Sequence, residues 1–353
     1  MLVRAAALPS WSSLSHETSM PFHSMEFCML LQQAWVGCER PSHVEVNVGD
    51  RHAVIPSFRF GACPRLSYYR RNVTPTLDCD IVGGHALVGW YGGPIGNDKG
   101  LIREAISSHL EFCRARGAAS LFFGIDERDR ATIQSLGDLG YLIGRFHTNT
   151  VLFLNARHVE DPLQLPKKQR EERRRIRRRA EEAGLQVKVL RASDAVKDTE
   201  LVRSFLRRDG VDDAVLPPRF IEAALTANLP GLEVLLAVTP RNESAAIALN
   251  FAWGTRYFMW LGGNDRQFAK PYYPSDILYQ HAISRAASLG MKEIQAGRSP
   301  YRIKFAYGFR PIGIMAALHP CHAIERERAA AWLAAQEHRH AMLYPEVGLQ
   351  SGL

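Results

Sequence analysis

The chain has 353 residues, of which 46% are hydrophobic and 23% are charged, and its formal net charge is +8. One hydrophobic core rarely organises so long a chain, so we expect two domains, and the ordinary globular composition excludes wholesale disorder. No apolar run approaches the length of a membrane-spanning helix, so we predict no membrane span.

The surplus of positive charge is concentrated in one window. Residues 167–179, KKQREERRRIRRR, include nine basic and two acidic residues, and nine minus two gives +7. The rest of the chain is therefore close to neutral. A concentration of this kind indicates an anionic partner that binds at one place.

Cysteine usage and the N-terminus bear on the compartment. The six cysteines form no C-x-x-C pair and no metal-ligand spacing with histidine, which predicts a reduced, cytoplasmic chain without a metal site. Residues 1–20 lack the apolar segment of a signal peptide, and we expect them to form a flexible leader before a fold that begins near Pro21. Whether translation starts at Met1 or at a later methionine stays open.

The first half alternates helical and extended patterns. Apolar residues at helical spacing predict helices over 25–35, 99–117 and 129–139. Alternating residues between turn signals predict two strands within 43–60 and further strands over 87–91, 119–125 and 141–154.

The second half repeats the same order of elements, which favours duplication of one α/β unit with a seam near 155–166. The basic window is predicted to be a helix with a narrow apolar stripe of Ile176, Ala180 and Ala183, ended by Gly184. Further helices are predicted over 198–208, 217–228, 276–289 and beyond Pro320. Strands are predicted over 185–190, 232–238, 245–251, 257–261, 292–296 and 312–318.

Five segments carry a resemblance to a known family. They are Tyr91-Gly92-Gly93-Pro94, Leu139-Gly140-Tyr141, Arg179 to Gly184, Tyr272 to Gly290, and Lys304 to Pro311 (KFAYGFRP). In this order they resemble segments of the tandem GNAT-like proteins of the Fem type and of their acyltransferase relatives. The resemblance covers about 21–319.

The resemblance implies an α/β (α+β) fold with two GNAT-like domains, each a mixed, mostly antiparallel sheet flanked by helices. We place a flexible leader at 1–20, the first domain at 21–160 and the second domain, with the active cleft, at 161–320. A C-terminal helix and tail would occupy 321–353. The implied function is N-acyl transfer to an amine or hydroxyl of a small-molecule or cell-wall-precursor acceptor, without a covalent enzyme intermediate.

The choice of donor depends on a segment that departs from the sequence motif of ordinary GNAT enzymes. Ordinary GNAT acetyltransferases have an (R/Q)xxGx(G/A) loop whose backbone N–H groups bind the pyrophosphate of CoA before the long helix. Residues 270–276, KPYYPSD, have no glycine, two prolines without N–H groups and a carboxylate at the helix start. This favours aminoacyl-tRNA, as in Fem-type enzymes, whereas the wider superfamily favours acyl-CoA. Both co-substrates stay open, and no tightly bound cofactor is expected.

Three residues are candidates for catalysis. Lys304 matches a family position and would stabilise the oxyanion or a donor phosphate, the alternative being a solvated lysine beside a strand. Asp276 would accept a proton from the nucleophile, or would simply cap the helix. Tyr279 is a candidate general acid for the leaving group.

The candidate binding residues are arginines and aromatic residues. Arginines at i, i+3, i+4 and i+7 could follow the phosphates of tRNA, could bind an anionic sugar-nucleotide or lipid headgroup, or could only form a solvated face. The candidate donor-binding residues are Arg170, Arg173, Arg174, Arg177, Arg298, Arg302 and Ser275. The candidate acceptor-binding residues are Trp260, Tyr272 and Tyr273, which could equally belong to the core. The rival function is a non-catalytic RNA-binding protein on a degenerate GNAT fold, and the sequence leaves the oligomeric state open.

Overall fold

The structure is a computed structural model that describes residues 9–34, 41–59, 80–84, 88–155, 158, 164–208, 217–298, 300–322 and 325–348. The helices are α1 (Pro9–Glu17), α2 (Met25–Ala34), α3 (Lys99–Arg114), α4 (Arg130–Asp138), α5 (Lys167–Glu182), α6 (Thr199–Arg208), α7 (Pro218–Thr226), α8 (Ala269–Tyr272), α9 (Pro274–Ser288), α10 (Tyr301–Phe305), α11 (Arg326–Leu343) and α12 (Pro345–Gly348). The strands are β1 (Val44–Val48), β2 (Arg51–Ile55), β3 (Ser57–Arg59), β4 (Ile81–Gly84), β5 (Ile95–Gly96), β6 (Ala119–Asp126), β7 (Leu142–Phe153), β8 (Gln186–Arg191), β9 (Leu232–Val238), β10 (Ser244–Trp253), β11 (Arg256–Asn264), β12 (Glu293–Gly297) and β13 (Arg310–His319). None of the helices in these ranges combines the length and the apolar character that crossing a membrane requires.

The chain divides into two compact units. Unit 1 comprises Met1–Asn149 together with Pro311–Leu353, and unit 2 comprises Thr150–Arg310. Unit 1 is therefore discontinuous in sequence, and β7 runs from one unit into the other. The domain boundaries at 160 and 320 remain predictions. The compact units divide after Asn149 and after Arg310, about ten residues before each predicted boundary.

Unit 1 contains a small antiparallel sheet of order β1-β2-β5 and a second sheet region of order β3-β4-β6-β13-β7. β4 pairs with β6 in parallel, whereas β13 pairs with β6 in antiparallel orientation. Helix α3 begins with Asp98, whose Oδ1 accepts a hydrogen bond of 3.0 Å from the N–H of Leu101. Its apolar face packs with Phe122 of β6 in the core of the unit.

Two predictions for unit 1 differ from the structure. The flexible leader includes helix α1, in which Trp11 and Leu14, one helical turn apart, are both buried. Residues 88–90, within the predicted strand 87–91, form bends, and residue 87 lies outside the described ranges. A Cβ at Gly89 would approach the ring of Phe22 to 2.7 Å, so close packing of a glycine backbone replaces a strand there.

Unit 2 is one sheet region of order β7-β12-β11-β10-β9-β8. Neighbouring strands of this region are antiparallel, except β11 and β12, which are parallel. Helix α9 packs on β9, β10 and β11, because Ile277, Ala282 and Ile283 are buried in the same core as Leu235 and Ala246. The predicted fold, a mixed and mostly antiparallel sheet flanked by helices in two GNAT-like domains, is confirmed.

Two elements of unit 2 carry the charged candidates. Helix α5 buries Ile176 and Ala180 and ends before Gly184, whose φ of +80° suits a glycine, as predicted. The residues around Lys304 form a short helix, α10 (Tyr301–Phe305), which the sequence patterns did not predict. The buried Tyr301 and Lys304 lie one turn apart, which fixes this short helix against the unit.

Candidate functional site

The candidate site lies in unit 2, around the point where β11 and β12 stop pairing. Their parallel pairing joins Arg256–Phe258 to Glu293–Gln295, whereas β11 continues to Asn264. Hydrogen bonds then connect the carboxyl end of β12 with α10, and the turn after α10 with the first turn of α9. The elements that carry most of the candidate residues therefore meet in one region.

Lys304 is buried at the carboxyl end of β12. Lys304 is only 2% exposed. Its Nζ donates hydrogen bonds to the carbonyl of Gly297, at 3.2 Å, and to that of Arg298. Thr150 Oγ1 donates to the same Gly297 carbonyl at 2.9 Å. Burial, and then the positive charge of Arg298, hold the pKa of Lys304 well below its usual value. Lys304 is therefore not the solvated lysine of the alternative interpretation. Because its pKa is lowered, its ammonium group loses a proton more readily than that of an exposed lysine.

Asp276 is the centre of a polar cluster. Its Oδ1 accepts hydrogen bonds from Arg173 Nη1 and, at 3.0 Å, from the hydroxyl of Tyr307. The side chains of Arg173 and Asp276 are only 15% and 18% exposed. Asp276 is the third residue of α9, and its carboxylate binds side chains from outside the helix. Simple capping therefore does not describe its role in the structure.

Aromatic rings complete this cluster. The ring of Tyr279 is stacked on that of Tyr307, with centroids 5.5 Å apart and an interplanar angle of 14°. The guanidinium carbon of Arg173 lies 4.7 Å from the centroid of the Tyr307 ring. Burial, and then the charge of Asp276, raise the pKa of both Tyr279 and Tyr307. Both phenols are therefore protonated at neutral pH and are weak acids in this state.

The start of α9 has an unusual backbone. Tyr273, directly before the helix, has φ +47°, a left-handed conformation that is strained for a residue with a Cβ. Its N–H donates to the carbonyl of Ala269 at 3.0 Å, and Pro274 has no N–H. These two positions therefore offer no amide to a phosphate. Tyr272 and Ser275, on either side, are half-buried.

The predicted arginine stripe on α5 does not form one surface. Arg173 points inward to Asp276, whereas Arg174 is exposed and Arg170 is half-buried. Arg177 donates to Glu181 at 2.8 Å within the same helix. The four arginines therefore do not all face the same way, which corrects the predicted stripe. Successive residues of a helix are 100° apart around its axis, and this step separates Arg173 from Arg174.

The remaining candidates fall into two environments. Arg298 is half-buried beside Lys304, and Arg302 is exposed on α10. Trp260 is only 3% exposed and packs with Phe251 and Phe220, at centroid distances of 5.2 and 6.2 Å. Trp260 is therefore a core residue in this structure, the alternative left open by the sequence, and the half-buried Tyr272 and Tyr273 are the better candidates for acceptor contacts.

Two residues of the cluster were missed as functional candidates. Tyr307 was noticed only as part of the KFAYGFRP segment. Gln280 is buried, and its Nε2 donates to the Arg173 carbonyl at 3.3 Å and lies 3.5 Å from the hydroxyl of Tyr307. The spacing of Asp276 and Gln280, i and i+4 on one helix, was the available signal. Among the residues that the structure describes, no group of His, Cys, Asp or Glu is arranged to hold a metal ion.

Comparison with known families assigns both halves of the chain. Residues 167–305 match the family model of the acetyltransferase (GNAT) domain, and residues 83–207 match that of the C-terminal part of phosphatidylglycerol lysyltransferase. The two matched ranges together span 83–305, and they support the resemblance of this chain to the tandem GNAT-like acyltransferases. No curated protein matches the sequence.

Solved structures share the fold of this chain. FemX is 11% identical, with 90% of this chain and 96% of that chain covered and a TM-score of 0.60. The C-terminal domain (DUF2156) of a putative lysylphosphatidylglycerol synthetase from Agrobacterium fabrum is 12% identical, with coverages of 93% and 95% and a TM-score of 0.59. L-PGS from Bacillus licheniformis is 11% identical, with coverages of 87% and 94% and a TM-score of 0.57. At such identities the likeness concerns the fold.

Proposed function

We propose that this chain is an aminoacyltransferase that moves an aminoacyl group from aminoacyl-tRNA to an amine or hydroxyl of an acceptor. The observation that carries the choice of donor is the start of α9. A GNAT enzyme that uses CoA needs backbone N–H groups at this helix start for the pyrophosphate. Here Pro274 has none, the N–H of Tyr273 is bonded to Ala269, and a carboxylate, Asp276, occupies the first turn.

The basic helix supplies the complementary argument. Arg174, Arg178 and Arg179 are exposed on α5. A polyanion such as tRNA gains from releasing counterions when several arginines neutralise its phosphates, whereas a single CoA molecule offers few such contacts. Arg170, Arg298 and Arg302 are proposed to add donor contacts nearer the reacting ester.

The proposed reaction is a direct attack. The acceptor nitrogen or oxygen forms a bond to the ester carbonyl carbon, the bond from that carbon to the tRNA 3′ oxygen breaks, and the acceptor's proton leaves to a base. Asp276 is proposed as that base and Tyr279 as the acid that protonates the leaving oxygen. Lys304 is proposed to stabilise the oxyanion, for which Nζ must turn from the two carbonyls that it now binds.

The acceptor remains a small molecule, a cell-wall precursor or, following the names of the relatives, phosphatidylglycerol. Tyr272 and Tyr273 are proposed to contact it. An acyl-CoA donor is the second candidate, because the GNAT family model matches 167–305, the residues that contain α9 and Lys304. The matches to two acyltransferase family models speak against the rival, a non-catalytic RNA-binding protein.

The test is a titration followed by a transfer assay. We expect bulk tRNA, and not acetyl-CoA, to raise the melting temperature (Tm), by less as the salt concentration increases. We expect radiolabelled aminoacyl-tRNA to lose its label faster with protein and to pass it to phosphatidylglycerol vesicles or to a pool of free amines. A Tm shift with acetyl-CoA alone would replace the donor, and tRNA binding without transfer to any acceptor would favour the non-catalytic rival.

A further inference from the structure

One arginine of the basic helix is placed differently from its neighbours. We propose that Arg173 is a positioning residue, which holds the first turn of α9 from helix α5 and makes no contact with the donor. The role of that turn in transfer rests on the proposed function, whereas the clamp itself can be tested without it.

Two contacts fix the side chain of Arg173. Nη1 donates to Asp276 Oδ1, and the guanidinium lies over the ring of Tyr307, 4.7 Å from its centroid. The Tyr307 hydroxyl lies 3.0 Å from the same Asp276 oxygen, so one carboxylate joins three segments of unit 2. The backbone of Arg173 takes part as well, because its carbonyl accepts from Gln280 of α9. An arginine whose side chain and backbone are both engaged in this way cannot also lie along the phosphates of a polyanion.

The neighbouring arginines have the opposite placement. In an α-helix each residue turns by 100°, so Arg174 and Arg178 lie 100° and 140° from Arg173 around the axis. Both are exposed, and neither forms an ion pair within the part of the chain that the structure describes. Helix α5 therefore divides its charges between an outer line, suited to phosphates, and one inward arginine.

The first turn of α9 needs such a clamp. No side chain caps its N-terminus, the preceding Tyr273 has a left-handed backbone, and Pro274 contributes no N–H. A strained backbone persists only where its surroundings over-determine it. Arg173 and Tyr307 supply that constraint through Asp276, and so hold Tyr273, Ser275 and Asp276 in place for the reacting groups.

The experiment compares Arg173→Gln with Arg174→Gln, a matched change one residue away. For Arg173→Gln we expect Tm to fall by about 5 °C, because it leaves the largely buried Asp276 without its cation. We expect kcat to fall by about 10- to 100-fold with the dissociation constant for bulk tRNA unchanged within about twofold. For Arg174→Gln we expect Tm to stay the same and tRNA binding to weaken. The slope of the logarithm of the binding constant against the logarithm of the salt concentration should become shallower by about one.

A second variant keeps the test decisive if Arg173→Gln folds poorly. In the double variant Arg173→Gln/Asp276→Asn no charge is left unpaired, so we expect part of the lost Tm to return relative to the single Arg173 variant. Hydrogen exchange of the amides of Ser275 to Ile277 should be faster in Arg173→Gln than in the wild type, whether or not tRNA is a substrate.

The outcomes separate this inference from the proposed function. If Arg173→Gln weakens tRNA binding and its salt dependence as Arg174→Gln does, with Tm and exchange unchanged, Arg173 is a donor contact and the positioning role is wrong. If the wild type transfers nothing, the proposed function fails, and Tm, the double variant and exchange still decide on the clamp.

Discussion

Two aspartates at the start of long helices, one in each unit, show how differently the units use the same residue type. Asp98 precedes α3 in unit 1, and its carboxylate accepts from the backbone N–H of Leu101 in the helix that it begins and, at 3.1 Å, from Arg51 of β2. Asp276 lies in the first turn of α9 in unit 2, and its carboxylate binds Arg173 and Tyr307 from other segments.

The difference indicates where the chemistry lies. The Asp98 carboxylate satisfies a backbone N–H of its own helix, and its ion pair with Arg51 is more exposed than the pair of Asp276 with Arg173. The start of α9 instead depends on side chains from elsewhere, and this is where the strained Tyr273 and the buried Lys304 are found. Local rules are broken at functional sites more often than elsewhere, which favours unit 2 as the location of the site.

Substitution of Lys304 should have the largest effect on transfer. If transfer were unaffected, the assignment of the chemistry to unit 2 would be wrong. We expect Lys304→Met to lower transfer by at least ~100-fold. We expect Tm to hold within about 2 °C, because removing a buried amine whose pKa is depressed relieves a desolvation cost and offsets the lost hydrogen bonds. Lys292→Met, at an exposed position near the start of β12, is the control. A large fall in Tm with transfer retained would make Lys304 a structural residue.

The two aspartates can be compared directly by alanine substitution. We expect Asp276→Ala to cost about 3 kcal/mol of stability, because Arg173 is left without its carboxylate, and to abolish transfer. We expect Asp98→Ala to lower Tm by only about 2–4 °C and to leave transfer unchanged. Urea unfolding and the transfer assay check both variants. Equal losses of transfer would remove the distinction between the units.

The pH dependence of stability should come in part from unit 1. Burial lowers the pKa of His23 and of His43 to about 4, whereas an unfolded histidine titrates near 6.5. Between these values the unfolded chain binds protons that the folded chain does not, so stability is present above pH 6.5 and is lost as the pH falls toward 4. Each histidine should contribute a loss of about 1.4 kcal/mol per pH unit in this window.

Urea unfolding between pH 7.5 and 5 measures this dependence. His23→Gln should reduce the slope by about one proton, and the exposed control His16→Gln should leave it unchanged. A slope that His23→Gln does not alter would show that this ring takes up its proton over the same pH range in the folded and unfolded chains.

The smallest effect is expected on the outer face of α5. Glu181 pairs with Arg177 four residues earlier, with both side chains more than half exposed. Such pairs contribute about 0.3–0.5 kcal/mol, so Glu181→Gln should barely change Tm. It should strengthen the binding of tRNA at low salt, because it adds one net positive charge to that face. A clear fall in Tm would mean that the pair belongs to a larger network.

Periodic patterns made the long elements predictable from the sequence. The helix expected over 99–117 is Lys99–Arg114, and the strand expected over 141–154 is Leu142–Phe153. In both, a repeated apolar spacing reports which face is buried. Short elements carry too few repeats for this, which is why α10, with five residues, was not predicted, and β3, with three, was not separated from its neighbours.

The site was predictable in its region and not in its contacts. Lys304, Asp276 and Tyr279 do lie in one region, and their roles stay predictions. The partners of Asp276 are 103 and 31 residues away in sequence, and no local pattern reports such contacts. The run of arginines concealed Arg173 for the same reason, because a uniform charge pattern does not reveal which member turns inward.

The discontinuity of unit 1 has a consequence for synthesis on the ribosome. β13, which pairs with β6 and lies beside it in the strand order of the sheet region, is made about 180 residues after β6. Domains generally fold as they emerge, at about 5–20 residues per second, so β6 waits roughly 10–40 seconds for this neighbour. The unit that is begun first is thus completed last, and during this interval the edge of β6 is open to chaperones and to mispairing.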